Sequence, residues 1–319
     1  TMQDDANLFR PPLSDLSLKD WTQAMRKLGR QYGMYEELGQ QHAALFVDDG
    51  PTLLVTFEAV EHIRNTYESG EPVGFELVRE AGWSHLCLLT SADTWFRDAA
   101  VYEFFDKLSD DGFFDAYDRV IFYGADMCGY AAAAFSVASP GATVICLQPQ
   151  ATLNPRITGW DKRFAPHRRL SFEDRYGYAP DMIDAAEDVF VLYDPSVRDE
   201  FAQASLFHKA HTTMVPLRHM SGDLEADLIE MQVLYRMLAQ AGTGKLNRQS
   251  LHKLMRLRRK HVPFLRRAVL AVEAQEKPMR LAKLCRAIGQ HYRMPIARRR
   301  LSALMDKGIA LPDPLRPPR

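Results

Sequence analysis

The sequence predicts an α/β protein: a mostly parallel sheet covered by helices on both faces. Two patterns and the chain length carry that expectation. Short, continuously apolar runs recur at TLLVTFE (52–58), WSHLCLLTS (83–91), VIFYG (120–124), ATVICLQPQ (142–150), VFVLYD (189–194) and TTMVPLR (212–218). Strands apolar at every position, not at alternate ones, are buried on both faces. Amphipathic stretches at 99–109, 130–138, 198–208 and 223–240 separate most of these runs, and that alternation builds a parallel sheet. With 319 residues, 46% of them hydrophobic, there is material for one large domain and something small beside it.

Taken in order, the opening TMQDDANLFRPP is acidic and lacks an apolar stretch, so it predicts no secretory signal. Residues 14–42 read as helix, with Ser14 as a cap and Leu16, Leu18, Trp21, Met25 and Leu28 near helical spacing. The segments that follow define an N-terminal helical segment (1–44), a core (45–242) and a basic helical extension (243–319). Gly242 and Gly244 mark the last boundary. Inside the core, the polar and aromatic residues 151–188 separate two strands, the length of a functional lid. The chain reads as free of internal repeats and ends in LPDPLRPPR. No run approaches the roughly 20 apolar residues of a membrane-spanning helix. Cys87, Cys128, Cys146 and Cys285 form no CxxC pair, and Cys87 and Cys146 sit inside apolar runs. That usage predicts small hydrophobes in a reducing, cytoplasmic setting.

A net charge of −1 hides a division. Residues 245–319 hold 20 Lys+Arg against 4 Asp+Glu, leaving 20 against 37 in the first 244 residues. The basic runs RLRRK, LRR and ARRR suit nucleic-acid phosphates, an acidic partner or membrane surface, or the chain's own acidic body. Docking on that body is the economical expectation. Aromatics among the basic runs are few (Phe264, Tyr292), which disfavours single-strand stacking.

The densest signal is VIFYGADMCGYAAAAFS, Val120 to Ser136. A strand run meets Gly124, a tight polar corner follows, and an alanine-rich helix begins. FYGADMCGYAA resembles the strand–elbow–helix of the α/β-hydrolase superfamily, in which a strained turn presents the nucleophile between small residues. The resemblance covers roughly residues 45–241. It implies an α/β-hydrolase-like sheet with a lid-like insertion, and it sets Asp126 where the nucleophilic serine usually stands. It also implies the order nucleophile, acid, histidine along the chain. VFVLYDPSVRD offers Asp194, with Asp199 as the alternative acid, and VPLRHMSG offers His219. The oxyanion hole implied by the resemblance comes from the backbone N–H of Met127 and one just past the first core strand, near Phe57 or Glu58. Trp160, Tyr176 and Tyr178 in the insertion are candidate substrate contacts, and no metal or cofactor is expected.

An aspartate in this position implies particular chemistry. A carboxylate attacks an sp3 carbon to give an alkyl ester that histidine-activated water then splits. On a carboxylic ester it would give an anhydride, so simple esters are disfavoured substrates. Haloalkane dehalogenases of this kind carry tryptophan after the aspartate, where this chain has Met127. Epoxide hydrolases use lid tyrosines. A thiolate at Cys128, near a helix N-terminus, is a lesser alternative. Two function classes follow: an enzyme on a small organic substrate, using Asp126, His219 and Asp194, or a degenerate hydrolase fold that binds a ligand or a protein. The oligomeric state is not legible.

Overall fold

The computed structural model describes residues 13–309. The expectations for the acidic leader and for LPDPLRPPR lie outside the described residues. One sheet holds eight strands: β1 (Gly33–Leu38), β2 (His42–Val47), β3 (Thr52–Ala59), β4 (Ser84–Thr90), β5 (Arg119–Ala125), β6 (Thr143–Leu147), β7 (Asp188–Tyr193) and β8 (Thr212–Pro216). Their order is β1-β2-β4-β3-β5-β6-β7-β8. β2 is antiparallel to both neighbours and every other pair is parallel.

Side-chain alternation explains why the strands read as continuously apolar. Val55, Phe57, Val120, Phe122, Val144, Cys146, Val189 and Val191 point into one core layer. The residues between them, Leu54, Ile121, Tyr123, Ile145, Leu147, Phe190 and Leu192, point into the other. Each strand is therefore buried twice over. The first layer is closed by the helices Ala99–Asp110 and Met127–Phe135 together with residues of the 151–188 insertion, and the second by Leu224–Glu230 and Leu234–Gly242.

The N-terminal helix expected over 14–42 spans only Leu18–Tyr32, and Ser17, not Ser14, caps it by accepting from the Asp20 N–H at 3.1 Å. Residues 33–47 form the β1–β2 hairpin instead. A Cβ on Gly33 would lie 2.4 Å from the Phe46 carbonyl oxygen, and Gly39 turns the hairpin at φ 64°. Gly33 ends the helix where the apolar spacing alone suggested continuation. The expected helix over 223–240 is two helices, broken around Gln232, whose φ is 55°.

Beyond Gly244, the helices Arg248–Met255, Val262–Glu273, Pro278–His291 and Pro295–Asp306 follow. Leu251, Met255 and Leu265 are buried, as are Leu281, Cys285 and Ala297. Leu246, Leu251 and Met255 join the core beneath the sheet, whereas Leu265, Val269, Leu281, Cys285 and Ile288 form a small core of their own.

Candidate active site

β5 ends at Ala125 and the helix Met127–Phe135 starts two residues later. Between them stands Asp126 at φ 51°, ψ −121°, a conformation costing a non-glycine residue about 1–3 kcal/mol. The turn is held from both sides: the Asp126 N–H donates to the Leu147 carbonyl (2.8 Å), and its carbonyl accepts from the Tyr130 N–H (3.1 Å). A Cβ on Gly124 would sit 2.1 Å from the Cys128 carbonyl oxygen, so that glycine is obligatory. Trp95, Phe96, Gln148 and His219 also take positive φ just beyond strands β4, β6 and β8. Strain is thus concentrated at the carboxyl ends of the strands.

A cavity of about 410 Å³ opens above the elbow at that edge. Phe57, Glu58 and Ala59 line it from β3, Ala125 to Cys128 from the elbow, and Asp93 and Trp95 from the loop after β4. His62, Tyr67, Phe164, His167, Asp223 and Glu225 complete it. No lysine or arginine is among these residues. The Asp126 side chain is open to the cavity, and no hydrogen bond holds its carboxylate among the described residues. The surrounding protein raises its pKa to about 7, chiefly by burial and then by the Glu225, Glu200 and Asp223 carboxylates, while His62 acts the other way.

Beside it lies a cluster that sequence reasoning missed. Glu225 accepts from Tyr67 Oη (2.7 Å), from Tyr123 Oη, and shares a 2.9 Å hydrogen bond with His62 Nε2. That bond leads the causes that raise the His62 pKa. The other ring nitrogen meets only Thr66 Oγ1, at 3.3 Å. Glu58 accepts from Thr56 Oγ1 (2.6 Å), the Val73 N–H (3.0 Å) and Cys87 Sγ (3.4 Å), and burial brings its pKa to about 7. His85 Nε2 closes that network on Thr56 (2.8 Å), and burial holds the ring neutral, with a pKa of about 3. Glu58, His85 and Cys87 bring one donor atom each within 4.8 Å, but their mutual hydrogen bonds make an internal polar network of the group. Burial pushes the Cys128 thiol well above its ordinary range, so it stays protonated and is no thiolate nucleophile.

The remaining candidates are distributed elsewhere. Met127 and Glu58 line the cavity, but Glu58 lies inside β3. His219 lies outside the lining residues. Its backbone N–H donates to Asp194 Oδ2 (3.1 Å), and its ring makes no hydrogen bond among the described residues. Asp194 Oδ1 accepts from the Ser196 N–H (2.7 Å) and the Ser196 hydroxyl. Both Asp194 oxygens are therefore occupied, Oδ1 within the β7 loop and Oδ2 in joining it to the β8 loop. Asp199 lies in the first turn of the helix Arg198–Ser205. Trp160 is exposed at 42% and outside the cavity. Tyr176 packs on Tyr102 and Phe135 and hydrogen-bonds Asp106 (3.1 Å), and Tyr178 packs against the core. From the insertion it is Phe164 and His167 that reach the cavity, both against Trp95. The signal for His62 was faint: a lone histidine four residues past Glu58. Glu225 had none, because its partners come from positions 62, 67 and 123.

A mostly parallel sheet with one reversed strand, a strained strand–turn–helix elbow and a cavity at the strand carboxyl ends together decide the architecture. The fold is that of an α/β-hydrolase. No protein-family model and no curated protein sequence matches this chain, but solved structures of this fold are similar to it. The capsule O-acetyltransferase of Neisseria meningitidis serogroup A, in complex with caged gadolinium, is 12% identical, with 65% of this chain and 93% of that chain covered and a TM-score of 0.42. Est1E from Butyrivibrio proteoclasticus, with ferulic acid bound, is 14% identical over 65% and 98%, with a TM-score of 0.42. A hyperthermophilic esterase from the archeon Pyrobaculum calidifontis is 14% identical over 76% and 97%, with a TM-score of 0.44. Identities this low say nothing about what this α/β-hydrolase-like chain binds or does.

Proposed function

We propose that the cavity is the active site of a hydrolase-type enzyme for a small, uncharged or cationic organic substrate, with Asp126 as the nucleophile. The observation that carries this reading is the unpartnered Asp126 carboxylate on a strained elbow, facing an open cavity instead of packed side chains. Five carboxyl groups and no lysine or arginine line that space, which disfavours anionic substrates. Attack of the Asp126 carboxylate on an epoxide or other activated sp3 carbon would form an alkyl ester and release the leaving oxygen. Tyr67, held neutral by burial, is a proton donor for that oxygen. Ester hydrolysis needs a base, and His62, oriented by Glu225, lines the cavity where His219 does not. The catalytic set we propose is therefore Asp126, His62 and Glu225, with Met127 contributing its backbone N–H.

The same geometry favours one second reading. The acid–histidine pair in the family order is not assembled, since Asp194 holds backbone and not the His219 ring. A fold that has lost that pair is a candidate ligand-binding protein.

A single-turnover assay in ¹⁸O-labelled water, run on epoxides, haloalkanes and activated esters, separates the two. Mass spectrometry of the Asp126 peptide should show label after turnover by the native chain. His62→Ala should trap the substrate mass on that peptide, and His219→Ala should turn over normally. Absence of both adduct and product across the panel would leave the binding reading. Loss of ester hydrolysis in His219→Ala would return the base role to that residue.

A further inference from the structure

The second helical hairpin, Pro278–His291 with Pro295–Asp306, differs from the helices before it in what it touches. In the preceding helix Arg267 clamps the body: Nη2 meets Asp227 Oδ2 at 2.7 Å and Nε donates to the His219 carbonyl at 2.9 Å. Across the same junction His261 Nε2 lies 3.2 Å from Glu230 Oε2. Arg293, Arg298 and Arg299 are exposed, and none of the three makes an ion pair among the described residues. Docking on the acidic body, the economical expectation from composition, thus uses Arg267 and leaves Arg293, Arg298 and Arg299 exposed.

The sequence around those arginines is mostly basic, although Glu273 of the preceding helix pairs with the neighbouring Arg300 (2.6 Å). Residues 277–309 contain nine Lys+Arg and a single acid, Asp306. Arg293 lies in the three-residue connection between the helices Pro278–His291 and Pro295–Asp306, and Arg298 and Arg299 follow in the first turns of the second helix. Neither helix has an acidic residue in its first turn, so the helix dipole adds to the positive potential there. The inward side of Pro295–Asp306 is Ala297 with Leu301 and Leu304. Its outward stripe is Arg298, Ser302 and Met305, all exposed. A helix of 12 residues with a cationic N-terminal end and an outer face of small, polar and flexible side chains fits the B-DNA major groove, about 12 Å wide. The major groove of an RNA duplex is too narrow for it. Single strands need aromatic platforms, and Tyr292 alone stands near.

We propose that the second hairpin is a docking surface for duplex DNA, with Arg293, Arg298 and Arg299 on the phosphates and the helix Pro295–Asp306 facing the major groove. This is independent of the cavity chemistry.

Fluorescence anisotropy of a labelled 30-base-pair duplex against the full chain tests it. Three phosphate contacts give a log–log salt slope of about −2.7, so binding should weaken about 40-fold between 50 and 200 mM KCl. Arg298→Ala/Arg299→Ala should reduce that loss to about 3–4-fold with an unchanged circular dichroism spectrum. If the double variant misfolds, Arg299→Gln alone should cut the slope by about one unit. No binding at 50 mM KCl, or native-like affinity and slope in the folded variant, would overturn the proposal. So would equal or tighter binding of an RNA duplex, a DNA single strand, polyglutamate or phosphatidylserine vesicles, because the surface would then be generically anion-seeking.

Discussion

At the scale of residues, the behaviour of Asp126 follows from its surroundings. Its pKa of about 7, against the ordinary 3.8, means the folded chain holds a proton there that the unfolded chain releases. Stability must therefore fall as pH rises from about 4 to 7, then stay level. The side chain is open to cavity water, so the contribution is discounted to about 1 kcal/mol. Asp126→Asn should remove this slope, raising stability above neutrality by that amount in urea titrations while abolishing turnover. A melting curve for the variant that still falls between pH 4 and 7 as the native curve does would place the proton elsewhere. Turnover should have the opposite pH trend. Asp126 must be ionised to attack and His62, with its raised pKa, must be neutral to act as base. The single-turnover rate should thus climb through pH 7, and a rate flat across pH 5–8 would sink the carboxylate nucleophile. Asp126 itself was legible from seven residues of sequence. His62 and Glu225 were not, because they are 163 positions apart and meet only where the helices after β3 and β8 converge.

Elements set what those residues can do. The elbow depends on Gly124, whose missing side chain leaves room for the Cys128 carbonyl. Gly124→Ala should cost about 3 kcal/mol in chemical denaturation, whereas Cys128→Gly should leave the turn geometry intact. The loops after β7 and β8 are joined by Asp194 through the His219 backbone. Asp194→Ala should cost about 1 kcal/mol by removing hydrogen bonds to part-buried donors. The variant, assayed while folded, should retain its single-turnover rate, and a loss of more than a hundredfold would restore Asp194 to the catalytic set. Core strands were readable from sequence because burial on both faces makes them apolar throughout. β1 was not: Glu36 and Glu37 sit in an edge strand with little apolar content, so tertiary pairing with β2, not pattern, specifies it.

At the scale of the whole molecule, the basic extension bears on the cavity. Arg267 holds the His219 carbonyl and Asp227, and Asp227 in turn accepts from the Ser221 N–H at 2.7 Å. The next helix carries Asp223 as its cap and Glu225 into the cavity. Arg267→Ala should cost about 1–2 kcal/mol of stability and speed amide exchange in residues 219–227. Exchange there at the native rate would show that the hairpin and the cavity wall are held independently.

From its sequence alone this chain determined the sheet's core strands, the elbow and the aspartate on it, since each rests on local pattern: continuous apolar runs, a glycine where no Cβ fits, and a turn between strand and helix. The charge division was equally plain, because composition needs no geometry. Tertiary structure decided the rest. It placed His62 and His167, but not His219, beside the cavity, held Asp194 in loop hydrogen bonds, and left Tyr176 and Tyr178 against the core. It also paired Arg267 with Asp227 and left Arg293, Arg298 and Arg299 exposed. Those outcomes depend on which distant segments the closed sheet brings to one edge, and no spacing along the chain encodes that.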